Sequence, residues 1–177
     1  MPSDAVDRLY ASIRAIPDFP EKGVLFRDIT PLLLNPDLLS AAVDELAEPL
    51  HDLQLDRILA IESRGFIFGS PLAMKLGVGM ALARKPGKLP AECRRIEYSL
   101  EYGKDAIEMH TDAVSPGQRV LVVDDLLATG GTAKAAAELL TDAGAVLAGY
   151  SFLIELAFLN GRDKLPDAPV FSILNYT

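Results

Sequence analysis

Residues 120–132 read VLVVDDLLATGGT. The first four are apolar and mostly β-branched, with no polar alternation, which predicts a strand covered on both faces at the centre of a sheet. Asp124 and Asp125 then leave the carboxyl end of that strand, the edge at which open α/β sheets bind their ligands. Residues 126–132 turn into the clearest helix of the chain, TAKAAAELLTDAG. Gly130 and Gly131 lack a Cβ, so their backbone can approach an anion closely, and Thr129 and Thr132 add hydroxyl donors. The helix behind them presents N–H groups and the positive end of its dipole. Neighbouring strand residues point to opposite faces, so the two carboxylates do not chelate one ion side by side; they suit vicinal sugar hydroxyls, directly or through Mg²⁺-bound water. The turn is neither a Walker loop nor GxGxxG. By itself a Gly-Gly turn also serves merely to join a strand to a helix; the acids, the threonines and the position favour a phosphate cradle.

Outward from this segment the chain alternates. RILAIE at 57–62 reads as a buried strand, SRG as a turn, FIFGSPLAMKLG as a helix ending at Gly77 and VGMALAR as a further strand; VLAGYSFLIEL and VFSILNY follow the central helix. Strands and helices joined by such short connections predict right-handed crossovers and a mainly parallel central sheet flanked by helices, an α/β fold. Upstream, Val6, Leu9, Tyr10, Ile13 and Ile16 recur at helical spacing and predict an opening helix ended by Pro17 and Pro20. An irregular stretch follows, then a helix from Pro36 or Asp37 to about Leu53 with Asn35 or Asp37 as its cap. Residues 85–106 form a long, weakly periodic excursion. The 177 residues suit one domain.

Composition removes several function classes. Half the residues are apolar, but no run approaches the roughly 18 needed to span a membrane. The N-terminus MPSDAVDRLY is acidic and has no apolar h-region, which argues against export and for the cytoplasm. A single cysteine, Cys93, leaves no internal disulfide and no Cys-rich metal site. His51 and His110 have no acidic partners at metal-ligand spacing. A net charge of −8 is unsuited to coating nucleic acid. Yet Arg84, Lys85, Lys88, Arg94 and Arg95 are five of the 17 basic residues. They form either a solvated loop or the seat of a small polyanion.

Segment 120–132 resembles the phosphoribosyl pyrophosphate (PRPP) motif of the type I phosphoribosyltransferases. IPDFPEKGVLFRDITPLL at 16–33, ESRGFIFGSPLA at 62–73, RKPGKLP at 84–90 and EYSLEYG at 97–103 are similar, in order, to segments of that family's adenine-specific branch. The resemblance spans nearly the whole chain. It implies a small hood over 1–35, a flexible catalytic loop within 85–106, and transfer of the 5-phosphoribosyl group from PRPP to adenine, yielding AMP and pyrophosphate in purine salvage. It implies further that Ala128, Thr129, Gly130, Gly131 and Thr132 bind the 5-phosphate and that Asp124 and Asp125 lie beneath the ribose. Ser63, Arg64 and Gly65, with a cis peptide at Ser63 to Arg64, bind pyrophosphate together with Arg84, Lys85 and Lys88. By the same resemblance Glu101 lies near the purine N7 and assists proton movement, and Tyr102 shields the reaction. Leu25, Phe26, Arg27 and Leu126 receive adenine, Mg²⁺ arrives with PRPP, and the enzyme is a cytoplasmic homodimer with no nucleic-acid or membrane partner. Two competing readings share the sugar site: a purine- or PRPP-sensing regulator, and a guanine or xanthine transferase.

Overall fold

The opening helix is shorter than its apolar spacing predicts. α1 (Asp4–Ser12) ends where the Ser12 hydroxyl donates to the Leu9 carbonyl at 2.7 Å. Ile13 and Ile16 belong instead to the approach and body of β1 (Arg14–Pro17), which pairs antiparallel with β2 (Leu25–Asp28). Strand pairing and one carboxylate overrule the helical spacing. Asp28 is 8% exposed; its Oδ2 accepts from Arg14 Nε at 2.9 Å and its Oδ1 from the Thr30 amide and hydroxyl at 2.9 and 2.6 Å. It thereby ties β1 and β2 to α2 (Thr30–Leu33), a short helix in the stretch expected to be irregular. α3 (Pro36–Ala47) starts from Asn35, whose Oδ1 accepts from the Asp37 amide at 3.0 Å. It does not reach Leu53. Pro49 cannot donate to a carbonyl one turn back, and residues Glu48–Leu53 continue as 3₁₀ helix.

The computed structural model describes residues 4–100 and 103–177. The chain divides into two compact units, Met1–Glu45 and Leu46–Thr177. Among the described residues no helix is long and apolar enough to cross a membrane.

The larger unit is built from β3 (Arg57–Ile61), α4 (Gly65–Leu76), β4 (Gly79–Ala83), β5 (Cys93–Leu100), β6 (Gly103–His110), β7 (Arg119–Leu127), α5 (Gly131–Asp142), β8 (Val146–Leu156) and β9 (Val170–Tyr176). Five strands form a parallel sheet in the order β4-β3-β7-β8-β9, with β7 at its centre. Val120, Leu121, Val122 and Val123 have no exposed surface, as an unbroken apolar run requires. Strand alternation divides β3 between two helices. Leu59 and Ile61 join Val120, Val122 and the alanine-rich face of α5 in one core, whereas Ile58 and Ala60 lie under α4 beside Gly69.

Within the excursion at 85–106 the structure places an antiparallel hairpin, β5 with β6, in register from Cys93↔His110 to Leu100↔Gly103. Its alternation is masked by charge: Ile96 and Tyr98 pack on the core, while Arg95 and Glu97 between and beside them are exposed. Its base is stitched to the sheet by mutual backbone hydrogen bonds between Arg84 and Glu108 at 2.8 and 2.7 Å.

Hydrogen bonds from Thr30 and Arg14 hold the Asp28 carboxyl down to about 2. A depressed folded value contributes stability above the unfolded value near 3.8, lost as pH falls toward 2, and worth about 2 kcal/mol at neutral pH. Asp28→Asn is expected to lower the thermal midpoint at pH 7, with the gap to the parent closing by about pH 2. Parallel pH profiles by circular dichroism would overturn this assignment.

Candidate active site

At the carboxyl end of the sheet β3 and β7 part company. Their register stops at Ala60↔Val123, while β7 stays paired with β8 as far as Leu127↔Glu155. Asp124 and Asp125 thus sit near the carboxyl end of β7, as the sequence suggests, on a stretch that has lost one neighbour, and the strand runs on to Leu127. Asp125 is 5% exposed and accepts a charged contact from Arg64, Nε to Oδ2, at 2.7 Å. Asp124 Oδ1 accepts from the Asp125 amide at 2.8 Å. Burial, then the neighbouring Asp125 charge, push the Asp124 carboxyl well above the usual carboxylate range. Burial also raises Asp125, against which the Arg64 charge pulls it back.

The turn after β3 faces these acids. The cis peptide lies at Glu62–Ser63, one bond earlier than the expected Ser63 to Arg64. Helix α4 has already begun at the later bond: Arg64 is its N-cap with helical dihedrals, and the Ser63 and Arg64 carbonyls accept from Phe66 and Ile67 at 3.3 and 3.1 Å. Gly65 opens α4 with no room for a side chain, since a Cβ there would stand 2.8 Å from the Val123 carbonyl oxygen and 3.1 Å from Asp124 Oδ1. Glu62 is held from the other side. Its carboxylate accepts from Arg84 Nη2 at 2.9 Å and from the Lys85 amide at 2.9 Å, and the Arg84 hydrogen bond keeps its carboxyl below the usual range.

Two depressions result. One of about 230 Å³ is lined by Glu62, Ser63, Arg64, Asp124 and Asp125. The other, of about 240 Å³, shares Glu62 and Asp124 and adds Arg84, Lys85, Tyr98, Asp105 and Thr132 among its walls.

Residues 128–132 form the turn from β7 into α5, with Gly130 as N-cap at φ +80°, a left-handed conformation that favours glycine. The helix closes its first bond from the Lys134 amide to the Gly130 carbonyl at 2.9 Å. The amides of Gly131, Thr132 and Ala133 precede that bond and point out of the helix end. Thr132 also joins a side-chain chain not anticipated from the sequence. Its hydroxyl donates to Tyr98 Oη at 3.2 Å, Tyr98 donates to Asp105 Oδ2 at 3.3 Å, and Lys85 Nζ lies 3.2 Å from the same oxygen. Burial raises the Tyr98 hydroxyl, and the Ala106 amide and Lys85 hold Asp105 low. The only sequence signal for this cluster is the cross-strand register Tyr98↔Asp105, which requires the hairpin to be recognised first.

Of the remaining expected site residues, Lys88 closes a turn on the Lys85 carbonyl, and its own carbonyl accepts from Arg84 Nη1 at 3.0 Å. Arg95 instead pairs with exposed Glu97 at 3.1 Å. Leu25, Phe26 and Arg27 lie on β2 of the smaller unit, where Phe26 packs edge-on to Phe19 with centroids 5.2 Å apart. Leu126 lies on β7 of the larger unit. Glu101 and Tyr102 fall outside the described residues. Among the described residues no three or more His, Cys, Asp or Glu side chains are grouped to hold a metal ion.

Residues 33–173 match the family model of the phosphoribosyl transferase domain. The adenine phosphoribosyltransferase of Synechocystis sp. is 56% identical over 170 residues, covering 95% of this chain and 99% of the relative. The crystal structure of adenine phosphoribosyltransferase from Thermoanaerobacter pseudethanolicus superposes with a TM-score of 0.94 at 49% identity, covering 97% of this chain and 99% of that one. The Saccharomyces cerevisiae adenine phosphoribosyltransferase, solved with an imino-altritol bisphosphate and adenine, gives 0.91 at 44% identity, covering 96% and 98%.

The Asp124 environment has a consequence for stability. An acid whose folded value is raised contributes stability while protonated, and that contribution is lost as pH rises through the folded value. Asp124→Asn keeps the acceptor for the Asp125 amide and removes the buried charge. The variant is expected to melt a few degrees above the parent at pH 7, with the difference shrinking toward pH 4. A lower midpoint at pH 7 in thermal denaturation would contradict the electrostatic reading.

Proposed function

The chain belongs to the adenine phosphoribosyltransferase family, and from that membership we propose that it moves the 5-phosphoribosyl group of PRPP onto adenine, releasing pyrophosphate and forming AMP, through the cleft between Glu62 and Thr132. The observation that carries the assignment of roles is the shared wall. Glu62 and Asp124 line both depressions, so the turn after β3, the acids of β7 and Thr132 at the start of α5 border neighbouring depressions, which supports reading them as one substrate site.

The amides of Gly131 and Thr132, with the hydroxyls of Thr129 and Thr132, take the 5-phosphate, helped by the α5 dipole. Asp124, which lines both depressions, accepts from the ribose hydroxyls. Asp125, turned to Arg64 at 2.7 Å, holds that arginine at the pyrophosphate turn. The backbone of Ser63, Arg64 and Gly65, with Arg84, Lys85 and Lys88, stabilises the charge that gathers on departing pyrophosphate. The acids suit Mg²⁺ carried by the oxygens of PRPP: both carboxylates, Asp125 buried and Asp124 half-buried, line the smaller depression. When bound, Mg²⁺ supplies charge neutralisation for the leaving group.

Adenine stacks on Phe26, and the backbone of Leu25 and Arg27 reads its edge with one donor and one acceptor. Holding base and sugar in line converts a collision into an oriented attack with inversion at the anomeric carbon. Glu101 assists the proton leaving the purine, and Tyr102 keeps water from the reacting carbon. A cytoplasmic homodimer completes the reading, and the exposed Ile67 and Met74, one heptad apart on α4, support a subunit contact.

Incubation with PRPP, MgCl₂ and each of adenine, guanine, hypoxanthine and xanthine is expected to give nucleotide with adenine alone, detected as AMP by chromatography. Absence of AMP would overturn the assignment, and a guanine or xanthine product would redirect it. Asp124→Asn is expected to reduce kcat/KM for PRPP by roughly 10²-fold, the size of a lost charge-assisted contact. An activity within twofold of the parent would remove Asp124 from the ribose site.

A further inference from the structure

One ion pair of the larger unit lies outside both depressions. Glu155, near the end of β8, is 5% exposed and stands in register with Leu127 on β7. Arg162 grips it with two prongs, Nε to Oε1 at 2.7 Å and Nη2 to Oε2 at 2.6 Å. The same guanidinium donates to the Val170 carbonyl at 3.0 Å and to Ser172 Oγ at 2.9 Å. Arg162 first, then Ser172, hold the Glu155 carboxyl below its usual range. A forked guanidinium bound at four points fixes both the place and the orientation of its own backbone. That backbone is the short 3₁₀ segment Gly161–Lys164.

The residue before Arg162 touches the phosphate turn. Gly161 is buried, and a Cβ on it would collide with the Ala128 carbonyl, while a Cβ on Gly130 would collide with the Gly161 carbonyl. Two stretches of backbone therefore lean on each other with no side chain between them. One of these stretches is the N-cap of α5. Residues 128–132 thus have Gly161 directly against them, and Gly161 is followed by the four-point contact of Arg162.

We infer that Arg162 and Glu155 form a positioning pair for the 5-phosphate turn: clamping residues 161–164 to β8 keeps the Gly161 backbone behind Ala128 and Gly130 and holds the turn in its anion-binding shape. The inference rests on the assignment of that turn to the 5-phosphate. Neither residue lines the depressions, so their effect reaches the substrate only through the turn.

The test compares Arg162→Gln, Arg162→Lys, Glu155→Gln and Gly161→Ala with Thr132→Val, measuring KM for PRPP, KM for adenine, kcat and the calorimetric affinity for ribose 5-phosphate. Arg162→Gln is expected to raise KM for PRPP and weaken ribose 5-phosphate about tenfold, the scale of a small misplacement of binding groups, with KM for adenine unchanged. Arg162→Lys, keeping charge without the fork, falls between. Gly161→Ala reproduces the loss with the ion pair intact. A uniform rise in both KM values, or a lowered thermal midpoint with PRPP affinity untouched, overturns the positioning pair. If Arg162→Gln does not fold, Arg162→Lys and Gly161→Ala decide by the same criterion. Weakened ribose 5-phosphate in Thr132→Val but not in the Arg162 or Gly161 variants retires the pair and leaves the turn assignment standing. Undiminished ribose 5-phosphate affinity in Thr132→Val retires the turn assignment itself.

Discussion

At Gly65 the backbone that opens α4 meets the backbone of β7 with nothing between them, and a single added carbon would stand 2.8 Å from the Val123 carbonyl oxygen. This closeness places the turn after β3 directly against the strand that carries the acids. Arg64, one residue earlier, then reaches Asp125 without leaving the helix cap, and Glu62 reaches across to Arg84 at the end of β4. The polar cleft is therefore assembled by packing of main chain on main chain, and its side chains occupy positions which that packing dictates. The same device recurs where Gly130 and Gly161 face each other. One contact stands against β7 and the other follows its end, so close-packed main chain fixes both turns.

The parts legible in the sequence are those where one physical requirement dominates a short window. Residues 120–123 are apolar without interruption because β7 is central, and the alanine-rich run after Thr132 lies against the sheet because small side chains let α5 approach. Where two requirements compete locally, the reading errs. Ile13 and Ile16 satisfy a helical period and also a two-stranded ribbon, and Asp28, fifteen residues downstream of Ile13, tips the balance toward the ribbon by fixing its partner strand. The hairpin of β5 and β6 was hidden by its charged outer face. The ion pairs Glu62 with Arg84 and Lys85 with Asp105 leave no local trace, since each joins residues brought together only by the completed fold. The turn at 62–65 is legible as a turn, but the bond carrying its cis geometry, Glu62–Ser63, has no signal in the sequence.

These pairs also define the electrostatic state of the cleft. Arg84 and Lys85 of the basic segment, and Arg64 outside it, each have a carboxylate within 3.2 Å, so these three cations are matched from within. Asp124 is pushed up by burial and by the Asp125 charge, against the opposing pull of the Asp125 amide and Arg64. The resting cleft therefore holds cations already matched to acids and one half-buried acid whose charge is disfavoured, an arrangement that an incoming anion would redistribute rather than simply fill.

The matching of Arg64, Arg84 and Lys85 bears on what the protein ignores. An acidic molecule with exposed, unmatched cations would still collect anions of every kind by charge alone, including the abundant phosphodiester chains of the cell. Here an incoming anion must outcompete a carboxylate already at hydrogen-bonding distance, in a fixed geometry, at more than one cation together. A flexible polymer that meets them singly gains little from each exchange, while a compact ligand whose phosphates are spaced to meet several at once gains from all. Competition from its own carboxylates thus sets the terms on which the resting cleft meets any anion.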